Sequence, residues 1–302
     1  MQRFKSIIIP MQGKSKNNLH WLYNTATDIE PPKIFSYYSL RFQFDGTSHR
    51  NSEKLLLIVE IPVPFTELTE TDTIPLENYL LGFLAPVIND LSYEYVNNDK
   101  NVREKAQFEV QTVNEVMLRR SGIHYNRDNN SVILTIHFCV PLVNALSVNA
   151  RSAIRAVRDI LEHIENVMKS LDQDKLSAYI SCYHNQLRIR EYLKCHDLCA
   201  FIANGSILPR ENGTLKPMKN AIPFCSPKEL EVTIPLDKGE KLAGMGIKRG
   251  VTVITGGGYS GKSTLLDAIE AGIYNHIPGD GREYVITNDS ALKIYAEDGR
   301  PV

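Results

Sequence analysis

Gly256-Gly257-Gly258-Tyr259-Ser260-Gly261-Lys262-Ser263 fits the spacing Gly-x-x-x-x-Gly-Lys-Ser/Thr. Each residue type in that pattern has a separable physical reason. The glycines Gly256, Gly257, Gly258 and Gly261 let the backbone take positive φ and approach an anion closely. Successive N–H groups around Tyr259 and Ser260 then point into one concavity that suits phosphate oxygens. A helix opening at Lys262 aims its positive dipole end at the same anion. Lys262 reaches β- and γ-phosphates, the Ser263 hydroxyl is the candidate Mg2+ ligand, and Thr264 stands in the first turn with a second hydroxyl. These residues mark ATP and Mg2+ as the expected ligands.

The flanks fit the same reading. Val251-Thr252-Val253-Ile254 is β-branched and reads as a short strand, entered through turns at Gly244-Met245-Gly246 and Arg249-Gly250. Leu265 to Glu270 continues as a helix.

Around the loop stand Phe201-Ile202-Ala203-Asn204-Gly205-Ser206-Ile207-Leu208-Pro209-Arg210, Pro223-Phe224, Gly244-Met245-Gly246-Ile247 and Tyr274 to Glu283, followed by Lys293-Ile294 and Ala296-Glu297-Asp298-Gly299-Arg300. Together with the phosphate loop, these segments resemble the predicted ATPases of the ABC class, densely from Leu198 to Val302 and weakly over residues 1–175. The resemblance implies an α/β protein: a mixed α+β N-terminal domain at 1–172, then the first part of an ABC-type nucleotide-binding domain at 173–302. It also implies closure over the nucleotide by dimerisation or by a second lobe. In the family the acidic Mg2+-binding strand and the signature segment follow far beyond the phosphate loop. The chain is therefore expected to be an N-terminal fragment that binds ATP, with hydrolysis confined to the complete protein.

Upstream, Tyr37–Phe44 alternates as a strand, and Leu55–Val59 reads as a buried strand ending near Pro62. Leu76–Ile88 reads as a helix, and Gln107–Met117 and Ser131–Val140 as further strands. From about Asn149 to Leu171, Ile154, Val157, Leu161, Ile164, Val167 or Met168, and Leu171 form one apolar stripe at helical spacing, with Arg151, Arg155 and Arg158 off it. Asp172-Gln173-Asp174 is a plausible joint, Lys175–Ala203 is helix-rich, and Leu230–Leu236 alternates as a strand.

The composition is that of an ordinary globular chain, 43% hydrophobic and 23% charged, with no apolar run long enough for a membrane span. Net charge is −1, and the stretches on either side of Asp172 are each nearly balanced, so bulk charge does not favour nucleic acid. RNA or DNA as a partner then rests on local groups: the arginines 151, 155 and 158, and stacking by Tyr37, Tyr38, Tyr93 and Tyr95. Solvated faces and core packing account for both sets more simply. Five cysteines are an odd number, so a reducing compartment, the cytoplasm, is expected. The basic, acid-free start (Arg3, Lys5, Lys14, Lys16, with no acidic residue before Asp28) leaves a mitochondrial or other organelle matrix as the alternative.

Lesser candidates surround the loop. Asp280, Arg282, Glu297, Asp298 and Arg300 belong to the segments that resemble the family's. Glu297 or Asp298 could orient Mg2+ or water, and Arg282 or Arg300 could contact phosphate, while turn formation accounts for such glycine-flanked charges as simply. Phe224 could stack on adenine. Cys195 and Cys199, with Cys182, His184 and His196, invite a zinc reading that would place the first two on one helix face, against the plainer alternative of buried thiols. Three functions compete: an ATPase, an ATP-gated RNA- or DNA-binding module, and a P-loop small-molecule kinase, the last lacking an arginine-rich lid.

Overall fold

Period-two alternation pervades residues 35–140. The computed structural model describes residues 1–22, 35–45, 54–65, 68–97 and 102–294, and there the alternation becomes a seven-stranded antiparallel sheet. Its strands are β1 (Phe35–Tyr37), β2 (Leu40–Asp45), β3 (Lys54–Pro62), β4 (Ser92–Asn97) and β5 (Val102–Glu109). After β6 (Val116–Met117), which belongs elsewhere, β7 (Ile123–Asn126) and β8 (Ser131–Cys139) complete it. The order is β1-β2-β3-β8-β5-β4, with β7 also pairing β8. Leu55, Leu57, Val59 and Ile61 on β3 and Leu134, Ile136 and Phe138 on β8 are buried, while Leu56, Ile58, Ile133 and Thr135 are half-buried. Helices α1 (Gln2–Ile8), α2 (Thr73–Asn89) and α3 (Ala150–Lys169) accompany the sheet, and α2 and α3 pack on β5 and on each other. A small hairpin, β9 (Leu142–Val143) and β10 (Ser147–Val148), precedes α3.

Two strand readings shift. The alternation over Tyr37–Phe44 is not one strand but a hairpin: Tyr38, at φ 52°, turns the chain and is exposed, while Leu40 and Phe42 are buried. The strand expected over Gln107–Met117 ends at Glu109, and residues after it serve another sheet. The helical stripe behaves as its spacing predicts. Asn149 caps α3, its side chain accepting from Ser152 N at 3.1 Å, and Ile154, Val157, Leu161 and Ile164 are buried. Arg151, Arg155 and Arg158 face solvent.

Glu77 on α2 is almost fully buried and accepts from Tyr125 N at 2.9 Å. Burial pushes its carboxyl above the usual range, outweighing that N–H and the charges of His124 and Arg119. A raised folded pKa means the folded state favours the proton. The contribution to stability is full below the unfolded pKa and is lost as pH rises through the folded one. Glu77→Gln keeps an acceptor for Tyr125 N–H and carries no charge. We expect its melting temperature to exceed the parent's by a few degrees at pH 7.5 and to match it near pH 4. A lower melting temperature at pH 7.5 would contradict this.

The chain divides into two compact units, Met1–Val113 with Arg119–Gln173, and Asn114–Leu118 with Asp174–Val302. The second is built on α4 (Gln173–Cys195), α5 (Lys262–Ala271) and an antiparallel sheet ordered β12-β13-β11-β15. These strands are β11 (Leu198–Ala203), β12 (Glu231–Pro235), β13 (Lys241–Lys248) and β15 (Val285–Thr287), while β14 (Asn275–His276) pairs with β6. On one face of the sheet Ile189 and Leu193 of α4 pack with Phe201, Ile234, Leu236 and Ile286. On the other, Ala268 of α5 packs with Ile202, Leu208, Met245 and Val285, flanked by Leu265, Ile269 and Phe224. The sheet thus lies between two helices, and α5 is the one that opens at the glycine-rich loop 256–261.

Three expectations are corrected here. Gly244 and Gly246 form no turn but lie inside β13, because the strands approach too closely for a side chain. A Cβ at Gly244 would stand 2.3 Å from Ile202 O. The helix-rich stretch stops at Cys195, and Leu198–Ala203, uniformly apolar, is the strand β11 with partners on both edges. Val251–Ile254 is not a strand. It pairs with nothing among the described residues, and Val251 is 96% exposed. Both edges of β13, the strand just before it, are taken by β11 and β12, so the segment cannot fold back onto its own neighbour in the sequence. It borders an open groove of about 550 Å3 lined by Met245, Ile247, Val253, Ile254 and Leu265.

Candidate nucleotide site

The loop 256–261 leads directly into α5. Gly261 caps the helix in the left-handed region, at φ 85°, and Leu265 N donates to Gly261 O at 2.9 Å. Tyr259, also at positive φ (60°), projects fully into solvent. A Cβ on Gly256 would come within 2.7 Å of Ser260 Oγ, so the loop closes only around a hydrogen at that position. Ser260 Oγ donates to Gly257 O at 2.9 Å and tightens the turn. Among the described residues the N–H groups from Gly257 to Ser263 meet no acceptor in the protein.

Lys262 folds back over this concavity. Its Nζ donates to Gly256 O at 2.7 Å and Gly257 O at 2.6 Å and lies 3.2 Å from Ser260 Oγ. Ser263 is exposed and Thr264 half-buried on the first turn. No acidic residue occupies that turn. Open N–H groups, a helix N-terminus and one ammonium, with no carboxylate among them, suit a polyanion. For a divalent cation the protein offers the Ser263 hydroxyl, and no group of three or more His, Cys, Asp or Glu among the described residues could hold a metal alone. The donor set fits a cation carried in by phosphates.

The other end of α5 is equally constrained. Thr287 Oγ1 donates to Ile269 O at 2.6 Å, and Ala271 O accepts from Tyr274 N and from His276 Nε2, each at 3.1 Å. Asp267 and Glu270 are both bound by Lys293, at 2.7 and 2.6 Å. His276 Nδ1 lies 2.8 Å from Asp280 Oδ2, which also accepts from Arg210 Nη2 at 2.7 Å. Arg210 Nη1 bonds Asp280 O at 2.7 Å, and Arg282 Nε bonds Leu208 O at 2.9 Å. Burial and neighbouring Arg210 hold the Arg282 pKa below its ordinary value.

Asp280 and Arg282 therefore stand apart from the loop as buried structural groups, each committed to a partner. Glu297, Asp298 and Arg300 lie outside the described residues. Phe224 packs against the core beneath α5. The zinc geometry fails: Cys195 ends α4, Asp197 turns the chain at φ 55°, and Cys199 sits in β11, donating to Lys248 O. Cys182 is buried, with its thiol pushed up to about 12 by desolvation. Of the stacking candidates, Tyr37 bonds Glu162, Tyr38 is exposed, and the side chains of Tyr93 and Tyr95 lie outside the description. Sequence spacing assigns no role to His276 or Arg210. The one available signal was the four-residue spacing of His276 and Asp280, which gave no hint of Arg210, 70 residues away from Asp280.

Among the described residues no helix is long and apolar enough to cross a membrane. Over 154 residues the chain is 33% identical to an uncharacterized protein of Methanocaldococcus jannaschii, a match covering 48% of this chain and 34% of that protein. The chain thus spans about a third of the length of this curated relative. Residues 172–302 match the P-loop domain of the ABC_ATPase family, so that stretch is similar to ABC-type ATPase domains.

Proposed function

We propose that this chain binds Mg-ATP on the loop 256–264 and holds it without rapid hydrolysis. The observation that supports this most is the loop itself: open N–H groups from Gly257 to Ser263 around the Lys262 ammonium, at the start of a helix whose far end is anchored. Lys262 would exchange its bonds to Gly256 O and Gly257 O for phosphate oxygens, and Ser263 would give its hydroxyl to Mg2+. Held by the Ser263 hydroxyl, Mg2+ would supply charge neutralisation to the bound phosphates.

Hydrolysis needs more than a cradle. An attacking water must be oriented by a carboxylate or amide, and developing charge must be met from the outer side. Asp267 and Glu270 are occupied by Lys293, and Asp280 by Arg210 and His276. The loop from Gly256 to Gly261 is exposed, so nucleotide lying on it has protein on one side. A second copy or a further lobe closing over that side is the arrangement in which turnover would begin.

Calorimetry with Mg-ATP and steady-state phosphate release on the same sample separate the two halves of the proposal. We expect saturable binding, with release far below the ~1–1000 per second of working enzymes. No binding would overturn the site, and turnover of about 1 per second or more would overturn the claim of slow hydrolysis.

A further inference from the structure

The side chain of His276 reaches the phosphate-loop helix from behind. A carbonyl only accepts, so at 3.1 Å from Ala271 O it is Nε2 that donates, to the last carbonyl of α5. The ring cannot drift. Nδ1 is held at 2.8 Å by Asp280 Oδ2, and Asp280 is clamped twice by Arg210. The main chain of His276 is fixed as well: its N–H donates to Gln186 Oε1 at 3.0 Å, and its carbonyl accepts from Gln186 Nε2 at 2.6 Å. Gln186 belongs to α4 and is fully buried. A strut of buried polar groups therefore runs from α4 through His276 to the C-terminus of α5, braced by Asp280 and Arg210.

We propose that His276 is a positioning residue for nucleotide binding. It fixes the axial and rotational setting of α5, and through that rigid ten-residue helix the place of the N–H groups and of Lys262 at its other end. The proposal rests on the reading of the loop as an ATP site. Small displacements of a binding group are costly when several contacts must be made together, with losses of up to about 100-fold for a shift of roughly 1 Å.

The two nitrogens of the ring can be tested apart. A glutamine amide nitrogen falls near the position of Nε2, and an asparagine amide nitrogen near that of Nδ1. His276→Gln keeps the donor to Ala271 O and gives up Asp280. His276→Asn keeps a donor to Asp280 and gives up α5. Calorimetric titration of the full chain with Mg-ATP, beside thermal melts, should show the His276→Asn protein about tenfold weaker and the His276→Gln protein within about twofold of the parent. Equal affinities in the two variants, or a weaker His276→Gln protein, would overturn the role, since general packing or the Asp280 bond would then carry the effect. Absence of binding by the parent would instead remove the ATP reading and this role with it. The parent alone gives a second test that no unfolding can obscure. Mg-ATP should slow amide hydrogen exchange across residues 275–284 as well as 256–264, and protection confined to the loop would contradict the strut.

Discussion

Lys262→Ala is expected to lower affinity for Mg-ATP by roughly 100-fold or more while leaving the circular dichroism spectrum unchanged. The estimate follows from charge-assisted hydrogen bonds, at about 1.5–3 kcal/mol each, with two phosphates losing their partner and each ~1.4 kcal/mol worth a factor of ten. No other lysine or arginine lies between Gly256 and Glu270, so no cation on the loop or helix can substitute. The fold should persist, because the Nζ bonds of Lys262 go to its own loop rather than to the core. Unchanged affinity with an unchanged spectrum would remove the loop from the site. Lys262→Arg separates charge from shape: a guanidinium keeps the charge but is bulkier and planar, and partial recovery is expected.

Gly244→Ala should destabilise the second unit by about 3 kcal/mol, the upper end of what overpacking ordinarily costs. Gly244 pairs with Ala203 on β11 and with Val232 on β12, in the middle of the sheet. The added Cβ would lie 2.3 Å from Ile202 O, 2.7 Å from Ala203 Cα and 2.7 Å from Phe201 Cζ. Two of these are backbone atoms that cannot rotate away, so the strands must part or the ladder must break. Gly246→Ala is the internal control, since its nearest neighbours are side-chain atoms of Val232 and Leu198 at 3.0–3.3 Å. In thermal melts Gly244→Ala should lower the transition by about 10 °C and Gly246→Ala by clearly less. Equal, small shifts would mean that the strands are not held this closely.

Helices and loop were legible from spacing because their causes are local. The stripe from Ile154 to Ile164 and the glycines before Lys262 each act within a few residues of sequence. What failed depended on distant partners. Val251–Ile254 has the composition of a strand, yet it joins no ladder among the described residues, and propensity alone does not supply a partner. Leu198–Ala203 carried no alternation because β11 is covered on both faces, by α4 and by α5, and an unbroken apolar run reads the same in a buried helix. Gly244 looked like punctuation, whereas its reason is the approach of Ile202, some forty residues earlier. The alternation at Tyr37–Phe44 gave no sign of the turn at Tyr38, a residue type that rarely takes positive φ.

The site shows the same division. The proposed phosphate loop stands in eight consecutive residues, followed at once by the helix α5. Asp280 and Arg282, glycine-flanked and charged, looked as available to a ligand as Lys262. Only the tertiary structure commits them, to Arg210 and His276 on one side and to Leu208 O on the other. Burial separates a charged residue that binds its own protein from one that waits for a ligand, and burial is not written in a motif.

Backbone amide chemical shifts, followed while Mg-ATP is added to the isotopically labelled chain, test the central claim most directly. The account predicts saturable shifts concentrated at Gly256–Thr264, around the Gly257–Ser263 N–H groups that meet no acceptor among the described residues, with the Lys262→Ala protein showing none at the same concentrations. Shifts centred elsewhere, or a loop whose amides do not respond to saturating Mg-ATP, would contradict it.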